Sequence, residues 1–236
     1  LAERNDPIDP AFYGKYDVKR GLRNANGTGV LVGLTSIGDV VGYEMQDGQK
    51  VAVPGRLIYR GYNIEDLIKD AEKQNQFAYE QCVYLLLFGE LPTQEALDNF
   101  RTLLGTKRTL PDNFTEDMIM KAPSSDIMNK LARGVLASYS YDTNPEDRSI
   151  SNVLHQCIEL ISRFSTLAAY GYQAKRRYYD GKSMYIHNPR PNLSTAENFL
   201  RLIRSNTEYS DEEAKLLDLA LILHAEHGGG NNSSLT

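Results

Sequence analysis

The chain has 236 residues, with 26 lysines and arginines against 31 aspartates and glutamates, so its formal charge is −5 and its isoelectric point about 5.5. A balance this acidic offers no global basic face for neutralising phosphates, which argues against a nucleic-acid partner, and 41% hydrophobic with 24% charged residues excludes wholesale disorder. No uncharged apolar run reaches the roughly 18 residues of a membrane span, and the polar start from Leu1 to Pro10 does not read as a signal peptide. The length suits one or two domains with a sizeable core, and Cys82 and Cys157 sit inside apolar helical patterns rather than in a disulfide or metal framework. These features leave a cytoplasmic enzyme or a helical interaction module.

Residues 1–28 are polar and read as an irregular arm. From Gly29 to Tyr59, β-branched residues alternate with glycines, and Gly42, Asp47-Gly48 and Pro54-Gly55 supply turn chemistry. One or two short hairpins are expected there, as the only β structure. The period then changes to about 3.6. Asn63 is suited to cap a helix that opens with Glu65 and Asp66. Phe77 to Phe88 is a strongly apolar helix closed by Gly89 and Pro92, and Thr93 caps the next, whose face carries Leu97, Phe100 and Leu104. Ile150, Val153, Leu154, Cys157, Ile158, Ile161, Phe164 and Ala168 keep an amphipathic rhythm. Ser194 with Glu197 and Ser210 with Glu213 are capping boxes opening two more helices. The fold class is therefore mainly all-α, a multi-helix domain over residues 29–236 with a short N-terminal β-hairpin region.

The chemistry concentrates at the end. Leu219 to Leu223 is apolar on every side, which predicts a turn buried in a larger core. His224 and His227 follow on one face, carried inward at a helix C-terminus whose carbonyls favour an imidazolium. Gly228 to Gly230 let a ligand approach the backbone closely, and Asn231, Asn232, Ser233 and Ser234 add uncharged donors. That set suits a small dicarboxylate or keto acid. Two other readings stand beside it: hydrogen-bonded core histidines, and a metal shared by His224 and His227 with Glu226 beside them, for which no third ligand is evident nearby and neither cysteine is in register.

The segment Leu223-His-Ala-Glu-His-Gly-Gly-Gly-Asn-Asn-Ser233 resembles the His-Ala-(Asp/Glu)-His…Asn-x-Ser element of citrate synthases. Gly55 to Leu67, with Tyr59-Arg60-Gly61-Tyr62, Glu80 to Phe100, and Leu193 to Leu200 resemble further segments of that family, in the same order. The resemblance implies a homodimeric, mainly helical acyltransferase that condenses acetyl-CoA with oxaloacetate and uses no cofactor, acetyl-CoA being a substrate. It assigns His227 to oxaloacetate binding, Asn231 and Ser233 to the same pocket, and His224 to orienting its neighbour. Arg20 and Arg23 lie near the place of a CoA-binding arginine.

The family's Gly-Pro-x-His-Gly and Gly-x-Gly-His histidines, its catalytic aspartate and its oxaloacetate-binding arginines belong beyond this element, so the resemblance leaves no catalytic residue in this chain. It implies a truncated or proteolysed N-terminal part of the large domain, with the small domain and the rest of the large domain absent. The chain would be inactive alone and would partner its own C-terminal fragment. The alternatives are a catalytically silent helical dimerisation or binding module and a 2-methylcitrate synthase fragment. Elsewhere, Lys175, Arg176 and Arg177, with Lys182 and Arg190, suit either a CoA phosphate or a solvated helix end. Tyr178-Tyr179 could stack on an adenine, and His155 and His187 read as structural.

Overall fold

The computed structural model describes residues 11–15, 21, 23–24 and 35–226. The arm expected to be irregular holds one short helix, α1 (Ala11–Lys15); its sequence signal is Pro10 directly before Ala11, since proline favours a helix start. Strands β1 (Gly38–Gln46) and β2 (Gln49–Tyr59) pair antiparallel across Asp47-Gly48, whose φ values of +51° and +78° suit a hairpin turn. Pro54-Gly55 is not a turn but lies inside β2. Val41 pairs with Arg56 and Tyr43 with Ala52, so Val53, Pro54 and Gly55 bulge opposite Gly42, where a residue without an N–H costs the ladder nothing. The second turn is Arg60-Gly61, with φ of +49° and +88°, which leads into the two-residue strand β3 (Tyr62–Asn63).

Helix α2 (Ile64–Lys73) starts where the Asn63 side chain accepts the Glu65 N–H. Helix α3 (Tyr79–Phe88) stops at Gly89, whose φ of +83° lets its N–H return to the Leu85 carbonyl. Thr93 caps α4 (Gln94–Thr106), and Asp126 caps α5 (Ile127–Ser138) after a π-helical turn over Thr115–Met120. The buried Lys130 closes that turn by donating to the carbonyls of Met118 and Ala122. Helix α6 (Ile150–Tyr178) runs for 29 residues, and α7 (Thr195–Ile203) and α8 (Asp211–Ala225) each begin with the expected capping box.

Among the described residues, three buried clusters hold helices α2 to α8. One joins α5, α6 and α7 through Leu131, Leu167, Tyr170 and Leu202; a second joins β2, α2, α3 and α8 through Tyr59, Ile64, Leu67, Leu85 and Ile222; a third sets Val83, Phe100 and Leu104 against Ile158. The apolar stripe expected along α6 is only partly its buried face. Ile150, Val153 and Phe164 are exposed, whereas Ile158, Ser162, Thr166, Leu167, Tyr170, Gln173 and Ala174 are buried. The first turns of α6 project past its neighbours, and its second half is enclosed through small and polar residues whose hydrogen bonds are met inside. Ser162 donates to the Ile158 carbonyl, Thr166 to that of Arg108 and Gln173 to that of Ile203.

Candidate functional site

The last turns of α8 were expected to lie deep in a core with both histidines turned inward. Of Leu219 to Leu223 only Ile222 is buried, and Leu223 is 47% exposed, because α8 packs on one side, against β2, α3 and α7. His224 is exposed rather than inward, and its Nδ1 lies 2.7 Å from the Ala220 carbonyl, one turn back. A carbonyl can only accept, so in that bond Nδ1 is the donor. His227, Asn231, Ser233 and Arg20 lie outside the described residues; Arg23 is described and exposed. Among the described residues no three of His, Cys, Asp and Glu come together as metal ligands.

The structure joins the end of α8 to a segment far away in sequence. The Tyr59 ring is completely buried, and its hydroxyl stands 2.6 Å from the Ile222 carbonyl and 2.9 Å from that of Glu226, while accepting the Glu226 N–H at 3.1 Å. Glu226 is extended (φ −155°, ψ 149°), so the helix breaks there and the tyrosine satisfies groups that the break leaves open. Burial raises the phenol above its usual range, which keeps it a donor. Arg60 does the same for another helix: its Nε and Nη2 reach the Leu86 carbonyl near the end of α3 at 3.3 and 2.9 Å. Two consecutive residues thus close two helix C-termini.

Beneath this junction lie buried charges. Asp218, halfway along α8, accepts the N–H groups of Ala78 and Tyr79 at 2.8 and 3.2 Å and so caps α3 from another element. Glu80 accepts the Thr195 N–H at 2.7 Å, its other oxygen has no partner, and Arg108 stands 3.9 Å away with both residues almost wholly buried. Arg108 also donates to the carbonyls of Arg190 and Leu193. A cleft of about 420 Å³ opens over Glu80 and Arg108, lined also by Asp98, Arg101 and Glu197. None of these three buried charges stood out in the sequence, although an aspartate inside Leu-Leu-Asp-Leu-Ala-Leu is a signal that it has a partner.

Burial, reinforced by Glu80, lifts Asp218 to about 7 against the opposing pull of the two amides. An aspartate raised in the fold and ordinary in the unfolded chain contributes stability that is present below its usual value of 3.8 and lost as pH rises to about 7. Urea midpoints of wild type are expected to fall between pH 4 and pH 7 more than those of Asp218→Asn; parallel profiles would show that Asp218 does not titrate in this window.

Several of the other candidates have partners within the fold. Lys175 pairs with Asp180, and Arg176 lies 5.8 Å from the Tyr172 ring centroid. Tyr178 and Tyr179 are exposed at the end of α6. His187 is held by the Arg204 carbonyl at 3.0 Å, and His155 faces Glu159 at 3.5 Å.

A family model described as "Citrate synthase, C-terminal domain" matches residues 24–236. The chain belongs to the citrate synthase family. It is 31% identical over 210 residues to the citrate synthase of Saccharolobus solfataricus, covering 89% of this chain and 48% of that protein. Among solved structures it resembles the citrate synthase of Pyrobaculum aerophilum, with a TM-score of 0.68 and 26% identity over 89% of this chain and 50% of that one. The fold is also that of the Thermoplasma acidophilum citrate synthase, solved in a ternary complex with carboxymethyl coenzyme A and oxaloacetate (TM-score 0.67, 22% identity, 86% and 47% covered). The chain spans about half the length of the curated relatives it matches. Citrate synthase membership makes it part of an enzyme family, and the mainly helical architecture agrees with its structural neighbours. No helix among the described residues is long and apolar enough to cross a membrane.

Proposed function

We propose that residues 29–236, preceded by an arm over 1–28, form the N-terminal part of the large helical domain of a citrate synthase, whose whole condenses acetyl-CoA with oxaloacetate to give citrate and CoA. Within the domain that the family model matches, this chain forms the beginning, ahead of the Gly-Pro-x-His-Gly segment. The observation that carries it is the meeting of Tyr59 with Glu226, directly before His227, which joins two of the family-like segments of the sequence at one point. In this reading His227 donates to oxaloacetate, Asn231 and Ser233 line the same pocket, and His224 supports it from the helix end. Arg20 and Arg23 reach towards CoA. The proton-abstracting carboxylate and the histidine that polarises the keto group come from further chain, and no cofactor is required. The protein works in the cytoplasm as a homodimer that also holds its complementary C-terminal portion; the exposed Met128, Leu136, Ile150, Phe164 and Leu216 are apolar surface for such contacts.

By itself the 236-residue chain is expected to release no CoA thiol from acetyl-CoA and oxaloacetate, since one pocket wall replaces neither the general base nor the electrophile. In the completed enzyme, His227→Ala should weaken oxaloacetate binding by about 1.5–3 kcal/mol, the range for a hydrogen bond to a charged group, or roughly ten- to a hundredfold. His224→Ala should act less. Isothermal titration of oxaloacetate into the three proteins, with and without a chelator, tests this. Equal affinities would return the histidines to a structural role, and loss on chelation would favour a metal.

A further inference from the structure

We infer that Tyr59 is a positioning residue for the oxaloacetate site, acting through the backbone at the end of α8; this rests on the function proposed above. A helix C-terminus commonly closes through its own chain at a glycine or through water. Here the closure is made by a side chain from β2. The Tyr59 hydroxyl touches the Ile222 carbonyl within the last turn and both the N–H and the carbonyl of Glu226, the first residue past the helix. It thereby spans the point where the chain turns from helical to extended, and Glu226 is bonded directly to His227.

Tyr59 is itself held rigidly. Its ring sits in the cluster with Ile64, Leu67, Cys82, Leu85 and Ile222, and it pairs with Tyr62 across the tight Arg60-Gly61 turn. The neighbouring Arg60 is anchored on the Leu86 carbonyl, so the turn is fixed to α3 while its tyrosine fixes α8. A phenol carries one proton and can donate to only one carbonyl at a time. The Ile222 and Glu226 carbonyls therefore share it, and the Glu226 N–H satisfies the oxygen from the other side. The result is a fixed point from which the histidine-bearing segment departs, and fixing that departure is what a binding histidine needs to meet a small anion in one geometry.

The test compares Tyr59→Phe with Tyr170→Phe in the completed enzyme. Tyr170 is also buried, and its hydroxyl donates to the backbone carbonyl of His187 at 2.9 Å rather than to any group of α8. It reports what losing a buried hydroxyl costs in general. Tyr59→Phe is expected to weaken oxaloacetate binding about tenfold, to raise its KM with the KM for acetyl-CoA unchanged, and to speed amide hydrogen exchange in peptides covering residues 222–231. Tyr170→Phe should leave all three unchanged while lowering the thermal midpoint to a similar degree. Unchanged oxaloacetate affinity in Tyr59→Phe, or an equal loss in Tyr170→Phe, overturns the positioning role alone. A wild-type enzyme that binds no oxaloacetate overturns the functional reading and this inference with it.

Discussion

Replacing Arg108 by methionine is expected to destabilise the fold by about 3–5 kcal/mol, the cost of removing one partner of a buried ion pair. Burial depresses the guanidinium and the neighbouring Glu80 pulls it back up, so the charge is buried at a cost that its partners offset. Without it the carbonyls of Arg190 and Leu193 lose their donor, and Glu80, which already has one unpartnered oxygen, is left as a lone buried carboxylate. Urea unfolding of Arg108→Met, Glu80→Gln and the double variant reads the coupling. The double variant should be clearly more stable than the sum of the two losses predicts. Simple additivity, or a loss under about 1 kcal/mol for Arg108→Met, would mean that the pair is not coupled.

Gly105→Ala should be nearly as damaging, for a reason that involves no charge. A Cβ at this position in α4 would overlap the Pro191 carbonyl oxygen and lie 2.9 Å from its carbon. Both are backbone atoms, so no rotamer change relieves the overlap. The helix gains about 1 kcal/mol in propensity from alanine, but prying α4 from the 188–193 loop costs about 3 kcal/mol or more at this degree of overpacking. Gly55→Ala is the control, since nothing lies within 4 Å of its Cβ position and its φ is not positive. The expected result is a poorly soluble Gly105→Ala with a strongly lowered thermal midpoint beside a normal Gly55→Ala; two normal proteins would show that the loop can move.

The features legible in the sequence are the local ones. Asn63, Thr93, Ser194 and Ser210 each cap a helix within three residues of themselves, and Asp47-Gly48 makes its own turn, so their signals are complete in a short window. Pro54-Gly55 carries the same composition but is overridden by the partner strand, which places it in a bulge. Gly105, Arg108 and Asp218 could not be read, because Pro191, Leu193 and Ala78 are brought to them by the packing of other helices. Ile150 and Val153 keep the helical period yet lie beyond the elements that could cover them. The candidate site was half legible: its residue types pointed to a small anionic ligand, while the tyrosine that joins its two segments appeared only as part of a motif.

The bond between Tyr59 and the Ile222 carbonyl spans 163 positions, which orders events in time as well as in space. The ring of Tyr59 and the apolar faces of α2 and α3 are synthesised before Asp218 and Ile222, which cap and cover them from 140 and 163 positions further along the chain. At translation rates of about 5–20 residues per second, those early surfaces wait roughly 8–33 s for their partner. During that interval the nascent chain carries an unfinished, sticky core, so its yield in a cell depends on whatever shields it until α8 arrives.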